Sequence, residues 1–442
     1  MPLSAILESA SRAGYDLKGV VRRLVNGGKT PVEVADASHQ FVIIGGGAAG
    51  IAVASSLLAR SPQADIAIIE PADVHYYQPG WTLVGAGVFQ AGHTARTMAA
   101  VLPRQIHWIK AAVAAFEPER NAVILDGCRV VRYQQLVVCP GLKLDWHGIE
   151  GLADTLGRNG VTSNYRYDLA PYTWELVQNL RSGEALFTQP PVPIKCAGAP
   201  QKAMYLSADH WRRERRLGAI KVDFCNAGAA LFSVPEYVPA LMEYVTRYGI
   251  KLNFGHNLIA VDGPAKMAQF ATTRPDGTRE VITREFDLLH VVPPQKAPDF
   301  IRVSPLADAA GWIDVDPASL RHKKYANVFA LGDATNTTNA KTAAAARKQA
   351  PVVAHNLLAV AGKPEAVYDG YGSCPLTVER GKIVLAEFLY GGKLAPSFPQ
   401  WFINGKRPSR LAWALKERIL PPLYWNAMLK GREWLARPEM VD

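Results

Sequence analysis

Apolar residues along this chain fall into short continuous runs separated by mixed stretches with helical spacing. Phe41-Val42-Ile43-Ile44 is uninterrupted, as expected of a parallel strand covered on both faces. Gly45-Gly46-Gly47 follows, then a helix-like run from Ile51 to Arg60, then a second apolar strand from Ile66 to Ile69 that ends in Glu70. The stretch from Phe41 to Ala59 carries no charge and has the length of a membrane span. Its glycines would break a helix early, so a strand, a tight turn and a helix are predicted instead. Further apolar strands are read at Val137-Val138-Cys139, Val222-Asp223-Phe224-Cys225 and Val328-Phe329-Ala330-Leu331. Strands that alternate with helices point to an α/β architecture with parallel sheets.

Both ends depart from this rhythm. Leu3, Ile6, Leu7, Ala10, Leu17, Val20, Val21 and Leu24 recur at roughly helical spacing among Arg12, Lys18, Arg22 and Arg23. A transit peptide and a surface helix both fit; Glu8 and Asp16 count against the first. From Phe398 to Trp434, aromatic and aliphatic residues are interleaved with Lys406, Arg407, Arg410, Lys416, Arg418, Lys430 and Arg432, and Pro421-Pro422 divides two helix-length pieces. This is the composition of a basic amphipathic hairpin lying in a bilayer interface, with a helix pair packed on the body as the other reading. On the first reading, truncation at Ser397 should leave soluble, cofactor-loaded protein.

A length of 442 residues accommodates two or three domains. The five cysteines are too few and too scattered for a disulfide scaffold, and no Cys/His spacing suits zinc, so no metal site is expected. The formal charge of +10 comes without any nucleic-acid module signature, so nucleic acid is not expected as a partner. An anionic membrane surface or acidic cofactors account for it equally well.

Gly45-x-Gly47-x-x-Gly50 between strand and helix, with Glu70 20 residues beyond Gly50, is a dinucleotide fingerprint. Gly45 permits the turn, Gly47 lets backbone approach a pyrophosphate, Gly50 lets the helix pack on the strand, and Glu70 accepts a ribose hydroxyl. Gly332-Asp333 after an apolar strand, together with Val137 to Gly141, resembles the two-dinucleotide flavoproteins, in which the aspartate binds the FAD ribityl chain. FAD is therefore the expected cofactor. Lys341 precedes a helix start, where it and the helix dipole would stabilise negative charge on reduced flavin. At the equivalent turn midway along the chain, Asn226 and Ala227 stand where a glycine is needed and only Gly228 remains. Side chains there obstruct a pyrophosphate, so the second domain is expected to keep the fold without NAD(P)H.

Electrons must then enter by another route. Cys196, in Pro193-Ile194-Lys195-Cys196-Ala197-Gly198, and Cys374, in Tyr371-Gly372-Ser373-Cys374-Pro375, both read as loop thiols, and Lys195 would favour the thiolate of the first. Cys139 and Cys225 end apolar strands and read as core, while Cys128 sits in a turn.

From Phe41 to Trp434 the chain resembles the sulfide:quinone oxidoreductases, specifically the mitochondrial type and its bacterial relatives. The motifs are Gln78-Pro79-Gly80-Trp81, Pro193 to Lys202, Leu289 to Pro294, Thr338 to Ala345, Tyr368 to Leu376 and Leu423-Tyr424-Trp425-Asn426. The resemblance implies that Cys196 and Cys374 are a redox pair joined by a disulfide or an extra bridging sulfur. Sulfide attacks Cys374, Cys196 faces FAD, and the bound sulfur leaves to glutathione, sulfite or another thiol, or as polysulfide. It also implies Gln78 at the cofactor and membrane quinone as electron acceptor. The expected architecture is two Rossmann-like domains plus a C-terminal amphipathic helical region that binds membrane. Residues 1–39 form an extension, 40–145 and 290–370 a discontinuous FAD domain, 146–289 the second domain, and 371–442 the redox-cysteine loop and membrane-associating helices. The expected location is peripheral, at a bacterial cytoplasmic or mitochondrial inner membrane, with homo-oligomerisation left open. An NADH:quinone oxidoreductase of the same fold, a sulfide dehydrogenase with a cytochrome partner and a non-enzymatic flavin-stabilised binding protein are the competing readings.

Overall fold

The computed structural model describes residues 37–274, 276–359 and 365–440. The N-terminal helical pattern up to Leu24 lies outside them. Strand β1 (Ala37–Ile44) opens the chain and leads through the glycine turn into helix α1 (Ala48–Arg60), followed by β2 (Ile66–Ile69). These elements and β3 (His107–Ile109) build one side of a seven-stranded sheet. Its parallel core continues from β1 to Val130–Val138 and on to Val328–Ala330, which returns from nearly 200 residues downstream. An antiparallel pair, Val113–Glu117 and Ala122–Leu125, closes the far edge. Alternate residues of β1 feed opposite sides: Phe41 and Ile43 join α1, while Val42 and Ile44 join a second apolar layer. That two-sided burial is why the strand carries no polar residue in its second half.

The second sheet has five parallel strands, ordered Val161–Thr162, Leu288–His290, Gly183–Gln189, Ile220–Asn226 and Lys251–Phe254. Helix α2 (Ala199–Arg213) covers it. A third helix, α3 (Ala343–Leu357), packs against α1 over the first sheet. Two antiparallel strands, β4 (Gly372–Glu379) and β5 (Lys382–Phe388), form a ribbon against α2.

Two expectations are corrected here. Cys374 is not a loop residue: it is buried in β4, opposite Ala386. Gly372 and Pro375 read as turn punctuation, yet a two-stranded ribbon has edges that tolerate proline. The C-terminal hairpin is likewise one broken helical run over 410–426, with a π turn at Leu415–Ile419 between two α segments. Pro421 and Pro422 stand in the first turn of the last segment, where their missing N–H groups cost little. Trp413, Tyr424, Trp425, Met428 and Leu429 are core residues, whereas Trp401 (86% exposed) and Trp434 (60%) face outward. Among the described residues no helix is long and apolar enough to cross a membrane.

Candidate active site

The glycine turn is shaped by contacts that no side chain could share. A Cβ on Gly45 (φ +103°) would sit 2.7 Å from the Cys139 carbonyl oxygen, and one on Gly50 1.9 Å from the Gly45 oxygen. In front of Gly47 a Cβ would meet nothing within 4 Å, which is the open approach a phosphate needs. The Glu70 carboxylate accepts the Gly46 and Ala72 N–H groups, each at 2.8 Å. These bonds aim it across the turn and leave lone pairs for a further donor.

Downstream, Gly332 (φ +74°) donates its N–H to Gln349 Oε1 and presents Asp333. The Asp333 carboxylate takes no hydrogen bond from the described residues; burial raises its pKa, against the pull of Lys341 and Lys195. Lys341 is not a solvated helix-start lysine. It is buried over the Trp312 ring, donates to the Thr335 carbonyl at 2.8 Å, and is pushed down to about 8 by burial. Thr342 takes over the cap of α3, accepting the Ala345 N–H.

The chain pairing Lys195 with Lys341 ties this cleft to the thiols: the Cys196 N–H donates to the Lys341 carbonyl at 2.8 Å. Lys195 Nζ donates to Gln78 Oε1, and burial lowers its pKa to about 8. Around it lie buried polar groups without partners among the described residues: Trp81 Nε1, both amide atoms of Asn164 and Gln295 Nε2. Leaving one such group unpaired costs roughly 1–3 kcal/mol, so a cluster of them marks a surface shaped for a ligand. Open space at Gly47, an unengaged carboxylate at Asp333 and these unpaired donors and acceptor fit a dinucleotide with a polar ring system, as FAD is.

Cys196 and Cys374, 178 residues apart, bring their sulfurs to 3.7 Å. A covalent disulfide needs about 2.05 Å, so both thiols are free. Cys196 adopts φ +49°, a left-handed conformation that turns its side chain toward β4. Gly198 makes the meeting possible, since a Cβ there would lie 2.5 Å from Cys374 Sγ. The Tyr165 hydroxyl donates to the Lys195 carbonyl at 3.0 Å and holds the loop from the other side.

Lys202, in the first turns of α2, donates to Cys196 Sγ at 3.2 Å. A hydrogen bond from the Cys374 thiol, with Lys202 behind it, holds Cys196 well below the ordinary thiol range despite burial. The same hydrogen bond, aided by burial, pushes Cys374 up. Burial would lower the Lys202 pKa, but the two sulfurs outweigh it and raise it. Lys416 arrives from the π turn, only 5% exposed, and donates to the Pro79 carbonyl at 3.3 Å. Burial, with Lys202 adding repulsion, lowers it to about 7. Gly198 and Lys202 lie inside the Pro193 to Lys202 motif and Lys416 inside the basic C-terminal stretch, but neither setting assigned them a role at the thiols, and Tyr165 carried no signal at all.

The remaining cysteines stay apart from this pair. Cys139 and Cys225 are buried strand-end residues, and Cys128 occupies a turn. At the midway turn, Asn226 is buried and closes the loop itself, donating to the Ala230 carbonyl at 2.9 Å and accepting the Gly228 N–H at 2.8 Å. The next helix begins only at Val238, so no helix start faces that turn.

A nucleotide cleft joined to a dithiol defines a flavin-dependent disulfide oxidoreductase. Residues 39–191 match the family model described as pyridine nucleotide-disulphide oxidoreductase. The chain belongs to the sulfide:quinone oxidoreductase family. It is 42% identical to the mitochondrial sulfide:quinone oxidoreductase of Dictyostelium discoideum, over 91% of this chain and 88% of that one. With the Mus musculus protein of the same name it shares 38% identity over 89% and 87%. The fold matches the crystal structure of the Aquifex aeolicus sulfide:quinone oxidoreductase with a TM-score of 0.74, at 16% identity, over 91% of this chain and 97% of that one.

Proposed function

We propose that Cys196 and Cys374 are the redox pair through which this FAD-dependent enzyme oxidises sulfide and reduces quinone. Sulfide:quinone oxidoreduction follows from membership of the family. The observation that carries the site assignment is the 3.7 Å approach of two thiols beside a buried ammonium and a nucleotide cleft.

In the oxidised pair, hydrosulfide attacks Cys374 Sγ and the bond to Cys196 Sγ breaks. Cys374 becomes a persulfide, and Cys196 leaves as a thiolate held by Lys202. The observed separation is also close to that of two sulfurs joined through a third, so a bridging sulfur in the oxidised state needs little rearrangement. An acceptor thiolate or sulfite then takes the outer sulfur, which returns Cys374 as a thiolate. Re-forming the bond between the cysteines releases an electron pair. FAD, when bound, would supply the two-electron acceptor for that pair and its route to quinone. Gly45, Gly47, Gly50, Glu70, Gln78, Gly332, Asp333 and Lys341 are the residues assigned to hold it. Lys195, Lys341 and Lys202 gather positive charge around the route that the electrons take.

Residues 40–145 and 290–370 are assigned as the FAD domain and 146–289 as the second domain, in which the Asn226 side chain bonds across the turn where a pyrophosphate would approach. The exposed Trp401, Phe402, Leu411, Ile419 and Trp434, among basic residues, support a monotopic seat at the membrane where quinone resides. The location assigned is peripheral, at a bacterial cytoplasmic or a mitochondrial inner membrane; the relatives it resembles are named as mitochondrial.

The test is the double variant Cys196→Ser, Cys374→Ser. It should retain FAD and lose sulfide-driven quinone reduction by several orders of magnitude. Retained turnover would overturn the assignment.

A further inference from the structure

At the other end of β1 and β2, away from the nucleotide turn, a second cluster of chemically active side chains comes together. His39 lies in β1, Asp65 immediately precedes β2, and His107 opens β3. The three strands are adjacent and parallel, with Phe41 opposite Ile66 and Ala67 opposite His107. Asp65 Oδ1 stands 2.8 Å from His39 Nδ1 and 3.6 Å from His107 Nε2, and the three ligand atoms all lie within 4.8 Å of one another.

We propose that His39, Asp65 and His107 form a binding site for a divalent transition-metal ion, zinc foremost. Tetrahedral zinc, about 2.0–2.2 Å from each nitrogen and oxygen, spaces its ligands roughly 3.3 Å apart, between the two distances observed here. The carboxylate is already oriented: its Oδ2 accepts the Gln40 N–H at 3.3 Å, which leaves Oδ1 for the ion. Backbone pairing fixes Asp65 as well, through the Phe41 N–H donated to its carbonyl. His39 is only 13% exposed whereas His107 is 64% exposed, so the cluster opens on one side and leaves the fourth position to water. Two imidazoles and a carboxylate suit zinc and neighbouring late divalent metals. No local motif announces the site, since His39 and Asp65 are 26 residues apart and only strand pairing brings them together. An ion there would clamp the amino ends of three neighbouring strands, at the end of the sheet opposite the nucleotide turn.

Zinc titrated into the FAD-loaded protein, without sulfide and in competition with a chromogenic chelator, tests this. The expected result is one zinc per chain with a micromolar dissociation constant and a melting temperature raised by a few degrees. His107→Ala and Asp65→Asn should each weaken binding by about tenfold or more while FAD content stays unchanged. Zinc-edge X-ray absorption should show a shell of nitrogen and oxygen with imidazole scattering. Absence of stoichiometric zinc, binding that His107→Ala leaves intact, or a sulfur shell would overturn the proposal.

Discussion

With its ammonium 3.2 Å from Cys196 Sγ, Lys202 biases the charge of the thiol pair toward one partner. The lowered Cys196 pKa means that its thiolate persists to lower pH than an ordinary cysteine's. Alkylation of Cys196 in the reduced protein should therefore rise less steeply with pH than that of an ordinary cysteine, which titrates at about 8.5. Lys202→Met should slow alkylation at pH 6 and steepen its rise toward pH 9, because it removes the ammonium that stands behind the Cys374 hydrogen bond; a profile unchanged in the variant would leave the charge to the Cys374 thiol alone. Gly198→Ala places a methyl 2.5 Å from Cys374 Sγ, so it should cut sulfide oxidation at least tenfold with FAD retained, which turnover and flavin content check together. Lys416 adds a pH signature of its own. Its folded pKa of about 7 lies below the unfolded value, so burying its charge costs stability in full below pH 7, and the cost fades toward pH 10. Lys416→Met should accordingly gain most in melting temperature near pH 6 and little near pH 10. Gly45, Gly47, Gly50 and Asp333 were legible in the sequence because their chemistry belongs to a local turn. Lys202 and Lys416 were not, because their meaning comes from a sulfur and a carbonyl that only the folded chain supplies.

The C-terminal run over 410–426 is the element whose reading changed most. Its aromatic and basic composition predicted an amphipathic hairpin, but composition does not say which aromatics face inward. Tyr424 bonds to His75 Nε2 at 2.6 Å, and His75 Nδ1 bonds to the Gly46 carbonyl at 3.0 Å. The carbonyl can only accept, so Nδ1 carries the proton and Nε2 accepts from Tyr424; burial lowers the His75 pKa and keeps this neutral form. The helical run is thereby tied to the nucleotide turn, and Lys416 of the same run donates to the Pro79 carbonyl, where its charge favours the Cys196 thiolate. Burying each of Trp413, Tyr424, Trp425, Met428 and Leu429 contributes about 1.5–3 kcal/mol, together comparable with the roughly 5–15 kcal/mol that holds a whole domain. Truncation at Ser397 should thus give aggregated, flavin-poor protein rather than a soluble holoenzyme, as size-exclusion chromatography would report. Trp401→Ser with Trp434→Ser is the variant that addresses membrane contact. It should keep FAD and fold while binding anionic vesicles about tenfold less tightly, and unchanged sedimentation with vesicles would place the contact elsewhere.

At the scale of the whole molecule, two sheets with parallel cores carry one open nucleotide turn and one closed turn. The first follows β1, where Gly47 faces empty space. The second follows Ile220–Asn226, where Asn226 hydrogen-bonds across its own loop. Both differences could be read from glycine content, because a missing glycine has the same steric consequence in sequence and in space. The pairing of Cys196 with Cys374 could not be read from spacing. It depends on β4 lying against the loop at Gly198, and on a ribbon that the Gly-Ser-Cys-Pro run disguised as a turn. The resulting account routes electrons inward through the thiols and not through a nicotinamide. Anaerobic titration of the holoenzyme with sulfide and, separately, with NADH, read by flavin absorbance, tests this most directly. The account predicts that sulfide bleaches the flavin, that Cys374→Ser abolishes the response, and that NADH leaves the flavin oxidised. Bleaching by NADH with no response to sulfide would contradict it.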